Sequence, residues 1–135
     1  MTGERDLDLL LRRASPRRAD GEYVFTRLEP GAAVPADAHP VVTVAEREGL
    51  TLVLPRAEAD ALGLPYTFVA AWITLEVHSA LEAVGLTAAF STALANAGIA
   101  ANVVAGHTHD HVFVPVARAA EALPALGTLP SDPPA

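Results

Sequence analysis

The sequence predicts an α+β fold in which antiparallel sheets carry helices on one face, laid out twice along the chain. Three observations point to it. Leu86, Ala89, Phe90, Ala93, Leu94 and Ala97 recur at the spacing of one helix face, and Gly98 follows where a helix end favours a left-handed residue. Leu50, Leu52 and Leu54 share one face of a strand, and the run 66–77 alternates likewise, with Ile73, Leu75 and Val77 opposite Trp72, Thr74 and Glu76. Each half holds at least two strands and two helices in similar order, although no sequence repeat accompanies the duplication.

Taken in order, Leu7, Leu10 and Leu11 at helical spacing predict a short amphipathic helix over residues 6–14, stopped by Pro16. Residues 23–28 alternate as a strand. A loop rich in Pro, Ala and Gly follows over residues 29–40. Thr43 and Glu46 have the spacing of a capping box, so a single helical turn is expected there, closed by Gly49. The Leu50 strand leads to Pro55, which opens a helix over residues 56–62 ended by Gly63. In the second half, residues 101–105 and 111–116 make two strands around a histidine-rich turn, and residues 117–126 form a last helix. No strand follows Leu126, so a pseudo-symmetric fold must borrow one or omit it. A bare far face of the sheet would expose Trp72 and Phe113, which argues for a second sheet or chain over it.

Composition narrows the function. Acidic residues outnumber basic ones by 16 to 9, and four of the arginines, Arg12, Arg13, Arg17 and Arg18, lie near the start rather than in a stripe, which disfavours nucleic acid as a partner. No stretch approaches the roughly 20 apolar residues of a membrane span, and no signal-peptide core is evident. A cytoplasmic protein with no membrane partner is expected. The absence of cysteine removes disulfides, thiolate metal sites and thiol nucleophiles. No Gly-x-Ser-x-Gly elbow and no phosphate-cradling glycine loop is present, so a non-enzymatic role without a cofactor is expected.

The strand ITLEV, a turn containing Gly85, the helix LTAAFSTALANAG and the strand IAANVV together resemble the ACT domain, a small ligand-binding module of amino-acid metabolism. EGLTLVLP, VHSALEAVGLTAAFSTALANAGI and NVVAG with HDHVFVPV are similar to short bacterial proteins carrying two ACT-like units in tandem. The resemblance implies ferredoxin-like βαββαβ units: an N-terminal helical extension (1–20), a first, degenerate unit (21–70), a second unit (71–127) and a flexible tail (128–135). It also implies a regulatory role, with an amino acid bound where the first strand meets the first helix, at an interface between units. A homodimer is expected. The Asp-x-Pro-Gly turn of many ACT domains is replaced here by residues 78–85, and no catalytic domain is attached.

Two segments are candidate sites. At the strand-to-helix turn, Gly85 lets a ligand approach the backbone, and free N–H groups at a helix start attract a carboxylate. Ser79 and Glu82 offer acceptors to an ammonium, His78 a switchable donor, and Asn102 an amide able to bond either end. With Leu81, Val84 and Leu86 they make the expected ligand-binding set. The structural alternative is that Ser79-x-x-Glu82 is a capping box and Gly85 a tight corner. The second segment holds His107, His109 and His111, whose imidazoles share one face on a continuous strand and there converge on zinc or nickel beside Asp110. A bend at residues 106–110 scatters them. His-x-His-Asp-His is also one residue short of the metallo-β-lactamase motif His-x-His-x-Asp-His. The expected site therefore includes no metal, with a metal-binding protein or a purely structural interaction module as the alternatives.

Overall fold

The computed structural model describes residues 16–76 and 86–127. The elements in chain order are β1 (Pro16–Arg18), β2 (Tyr23–Leu28), β3 (Val42–Glu46), β4 (Gly49–Pro55), α1 (Arg56–Leu62), β5 (Val69–Leu75), α2 (Leu86–Asn96), β6 (Asn102–Ala105), β7 (Asp110–Pro115), a 3₁₀ turn (Val116–Arg118) and α3 (Ala119–Gly127). The helix expected over residues 6–14 and the tail 128–135 lie outside the described residues. The chain divides into two compact units, Asp20–Ala70 and a second made of Met1–Ala19 with Ala71–Ala135.

In the first unit the strands lie in the order β3-β4-β2 with the start of β5 beside β2, the order of a ferredoxin-like sheet. Val24, Leu28, Leu52 and Leu54 project to one face and bury against Ala59 of α1. Pro55 presets the backbone for α1, and Gly63 at φ 69° ends it while the Leu64 N–H bonds back to the Ala59 carbonyl at 2.9 Å. The helix that a βαββαβ unit carries between its first two strands has no counterpart here, in keeping with the loop read over residues 29–40. The segment 29–41 crosses instead, dropping Ala38 into the core and fixing His39 to α1, its backbone N–H at 2.7 Å and its Nδ1 at 3.0 Å from the Glu58 carboxylate.

The capping-box reading of Thr43 to Glu46 is corrected: these residues are strand β3, paired with β4 from Val42↔Val53 to Glu46↔Gly49. Glu46 reaches forward to the Thr51 hydroxyl rather than back to the Thr43 N–H. Consecutive β-branched residues tip the balance toward the strand. Gly49 is therefore not a helix end. It closes a two-residue hairpin at φ 142°, where an added Cβ would stand 2.1 Å from the Leu28 carbonyl oxygen.

The second unit has the order β1-β5-β7-β6. Its fourth strand comes from before the first unit: β1 pairs antiparallel with β5 through Pro16↔Leu75, Arg17↔Thr74 and Arg18↔Ile73, and the Ala19 N–H donates to the Trp72 carbonyl at 2.9 Å. Pro16 to Arg18, placed by sequence in a helical extension, are thus the strand missing after Leu126. Ile73, Leu75, Val112 and Val114 bury against Phe90 and Leu94 of α2 and against Ala119, Ala122 and Leu126 of α3. Gly98 at φ 74° ends the α2 stripe, the Ile99 N–H returns to the Leu94 carbonyl at 2.8 Å, and Ile99 itself is buried. Arg118 then donates to the carbonyls of Ala97 and Gly98, placing a cation at the negative end of α2. On the far face Phe113 is fully buried and Trp72 half-buried.

Candidate functional site

The strand-to-helix passage of the second unit leaves β5 at Leu75 and enters α2 at Leu86. His78, Ser79, Leu81, Glu82, Val84 and Gly85 lie outside the described residues, and Leu86 opens α2. Just past β5, Glu76 pairs with Arg17 of β1 at 3.2 Å. Asn102 is not on the strand next to β5, because β7 lies between β5 and β6. It pairs with Phe113, whereas Ala105 pairs with Asp110, so Asn102 sits at the end of the hairpin away from the histidine turn.

The histidine segment stands at the end of this sheet where β5 finishes. His111 Nδ1 lies 3.0 Å from Trp72 Nε1 and 3.3 Å from Thr74 Oγ1, and Phe113, two residues on, stacks on Trp72 with centroids 6.2 Å apart. Moving along β7 therefore means moving back along β5. The start of β7 and the turn before it stand at the end of β5, where the junction begins.

The histidines do not lie on one continuous strand. Residues 107–109 form a bend closed by the Gly106 N–H to the His109 carbonyl at 2.9 Å, and β7 begins only at Asp110. An added Cβ on Gly106 would stand 2.7 Å from that carbonyl, so the tight bend selects glycine. Among the described residues no group of three or more His, Cys, Asp or Glu is placed to hold a metal ion.

The bend gives its groups separate environments. His111 turns to the far face, where burial lowers its pKa, His109 lowers it further and Asp110 opposes. The Trp72 indole can only donate, so His111 Nδ1 accepts and the neutral ring carries its proton on Nε2. Asp110 turns the other way and is buried. Desolvation raises its pKa, partly offset by His111 and His109.

A feature not anticipated from the sequence lies in the first unit. A cleft of about 570 Å³ is lined by Phe25, Thr26, Arg27 and Glu29 on one side and by Pro65, Tyr66 and Thr67 on the other. Alternation along β2 places Phe25 and Arg27 on one face, the one signal available beforehand. The positions of Tyr66 and Glu29 follow from tertiary contacts.

Comparison with known proteins agrees with this architecture. Two family models, each described as an ACT domain, match residues 2–71 and 68–128. A protein of unknown function from Vibrio cholerae, described as a possible transport protein, is 48% identical, with 93% of this chain and 96% of that one covered and a TM-score of 0.83. A protein from Agrobacterium tumefaciens is 20% identical over 86% of this chain and 88% of its own, with a TM-score of 0.67. The ligand-free regulatory subunit of aspartate kinase from Thermus thermophilus shares the fold at 9% identity, covering 82% of this chain and 92% of that one with a TM-score of 0.60. No curated protein matches the chain.

Proposed function

Because the chain belongs to the ACT domain family, we propose that it is a non-catalytic regulatory module binding an amino acid or similar small ligand at the strand-to-helix turn of residues 78–86. The observation that carries this reading is the tandem of ACT domain matches, together with a second unit that keeps the full strand and helix order around that turn. The first unit lacks the corresponding helix, so its own strand end has no helix N-terminus to offer a carboxylate. Ser79 and Glu82 take the ammonium, and the backbone N–H groups that open α2 take the carboxylate. A regulatory subunit among proteins of the same fold supports regulation of a separate partner. The module works in the cytoplasm as a homodimer in this reading. Among the described residues no helix is long and apolar enough to cross a membrane.

The test is a melting screen of the intact chain against the common amino acids. A ligand at one hundred times its dissociation constant adds about 2.7 kcal/mol, which for a chain of this size raises the melting temperature by roughly 10 °C. Glu82→Gln should abolish the rise while leaving the ligand-free melt in place. A panel without any rise at millimolar concentration removes the reading.

A further inference from the structure

β1 ends at Arg18 and β2 begins at Tyr23, so residues 19–22 join them. Both ends of this link are held. The Ala19 N–H donates to the Trp72 carbonyl and the Glu22 carbonyl accepts from the Arg56 N–H, each at 2.9 Å. Between them Asp20 and Gly21 form an exposed bend. Gly21 takes φ 84°, a left-handed conformation that explains why glycine stands there, and an added Cβ would meet nothing within 4 Å.

An aspartate followed by glycine is a reactive pair wherever the fold leaves it free. The glycine nitrogen has no adjoining Cβ to hinder it, so it can reach the aspartate side-chain carbon and close a five-membered imide. A hydrogen bond from that N–H, or a partner on the carboxylate, holds the ring open. Among the described residues neither restrains this pair: the Gly21 N–H donates to no carbonyl, and the Asp20 carboxylate has no ion pair or hydrogen bond. The other candidates among the described residues are each restrained. The Ala38 N–H after Asp37 donates to the Pro35 carbonyl at 3.0 Å, and the Ala97 N–H after Asn96 to the Ala93 carbonyl at 3.2 Å. Asp60 lies inside α1, its carboxylate accepting from the Tyr66 hydroxyl. Asn102 precedes the β-branched Val103 in β6, and Asp110 is buried in β7 between two neighbouring strands.

We infer that Asp20-Gly21 is a modification site, at which the folded chain isomerises spontaneously with water as the only co-reactant. The Gly21 nitrogen bonds to Asp20 Cγ, and one carboxyl oxygen leaves as water with the amide proton and a proton from solvent. Water then adds to the imide. Opening at Cγ restores aspartate, whereas opening at the main-chain carbonyl breaks the original peptide bond and routes the chain through Cγ as isoaspartate. The product keeps the mass of the chain, adds one main-chain atom between Ala19 and Glu22, and carries the former main-chain carboxyl as a free α-carboxylate. An isoaspartate-specific carboxyl methyltransferase recognises that group. The site uses no residue of the turn at 78–86 and stands without that reading.

The test is to hold the intact folded chain at neutral pH for several weeks, well below its melting temperature. Cleavage after arginine then releases residues 19–27. The isoaspartyl form of that peptide has unchanged mass, elutes apart from the aspartyl form, and takes a methyl group from S-adenosylmethionine in the presence of an isoaspartyl methyltransferase. Isoaspartate is expected at Asp20 before any at Asp37, Asp60 or Asp110, at a rate within tenfold of that in the free peptide of residues 19–27. Asp20→Glu, whose ring would be six-membered, should remove it, and Asp20→Asn should form it at least tenfold faster with loss of ammonia. A folded chain more than tenfold slower than the peptide overturns the proposal, because the fold then guards the pair. So does isoaspartate that appears first at another described aspartate, or a methylation signal from residues 19–27 that persists in Asp20→Glu.

Discussion

His111 keeps its bond to Trp72 only as a neutral ring, because a proton on Nδ1 leaves the indole N–H facing another donor. The groups around it are Trp72 and Thr74 on β5 and His109 and Asp110 on its own chain segment. Burial holds its folded pKa below the value of 6.5 expected when solvated, so the unfolded chain binds more protons between the two values. The stability this group contributes is complete above pH 6.5 and is lost as pH falls through the lowered pKa. Asp110 has the opposite sign: its raised folded pKa favours folding at low pH and costs stability as pH rises through that value. Trp72 is the sole tryptophan, which makes the first transition directly visible. Its fluorescence should change with a midpoint below pH 6.5, and His111→Phe should abolish that change. A midpoint at or above 6.5 would contradict the buried, accepting ring. The bend at residues 106–110 was weighed from the sequence as the arrangement that scatters the histidines, but the Trp72 and Thr74 partners of His111 were not legible, since they depend on how β5 and β7 lie together.

At the scale of elements, the sequence was readable where a periodic face and a helix terminator agreed. α2, with Phe90 and Leu94 buried and Gly98 beyond it, and α1, between Pro55 and Gly63, both follow their patterns. β3 was misread because Thr43 and Glu46 satisfy a helix-start spacing that the β-branched residues around them override. Gly49 shows why the error mattered: a helix end tolerates asparagine or a strained alanine, whereas this hairpin does not. An alanine methyl there would meet the Leu28 carbonyl at 2.1 Å, and the backbone sits at φ 142°. Gly49→Ala should cost at least about 3 kcal/mol, from backbone strain of roughly 1–3 kcal/mol plus displacement of β2 from β4. Denaturant titration measures it, and a loss below about 1 kcal/mol would mean the hairpin relaxes freely. The cleft beside β2 depends on the same kind of information, since Tyr66 is drawn away by Asp60 and Arg56, residues whose spacing along the chain announces nothing.

The first unit is one continuous stretch of chain, whereas the second closes its sheet with residues that precede the first. The lack of a strand after Leu126 was visible, and so was the need to borrow one. The lender was not, because Pro16-Arg17-Arg18 carries no apolar alternation and is a poor strand by composition. It is specified by what waits for it, the outer edge of β5 and the end of α3, where Gly127 lies against the Pro16 ring. A chain shortened to begin at Asp20 should therefore weaken the second unit while sparing the first. Three cross-strand pairs at roughly 0.2–1 kcal/mol each set the loss at about 1–3 kcal/mol. Ala19→Pro, which removes the N–H that donates to the Trp72 carbonyl, should reproduce part of it without any truncation. Trp72 fluorescence follows the second unit and tyrosine absorbance, from Tyr23 and Tyr66, follows the first. The tryptophan midpoint in urea should fall in both variants and the tyrosine midpoint should stay. Midpoints that fall together would show that the two units unfold as one, and an unmoved tryptophan midpoint would show that β5 does not need its borrowed neighbour.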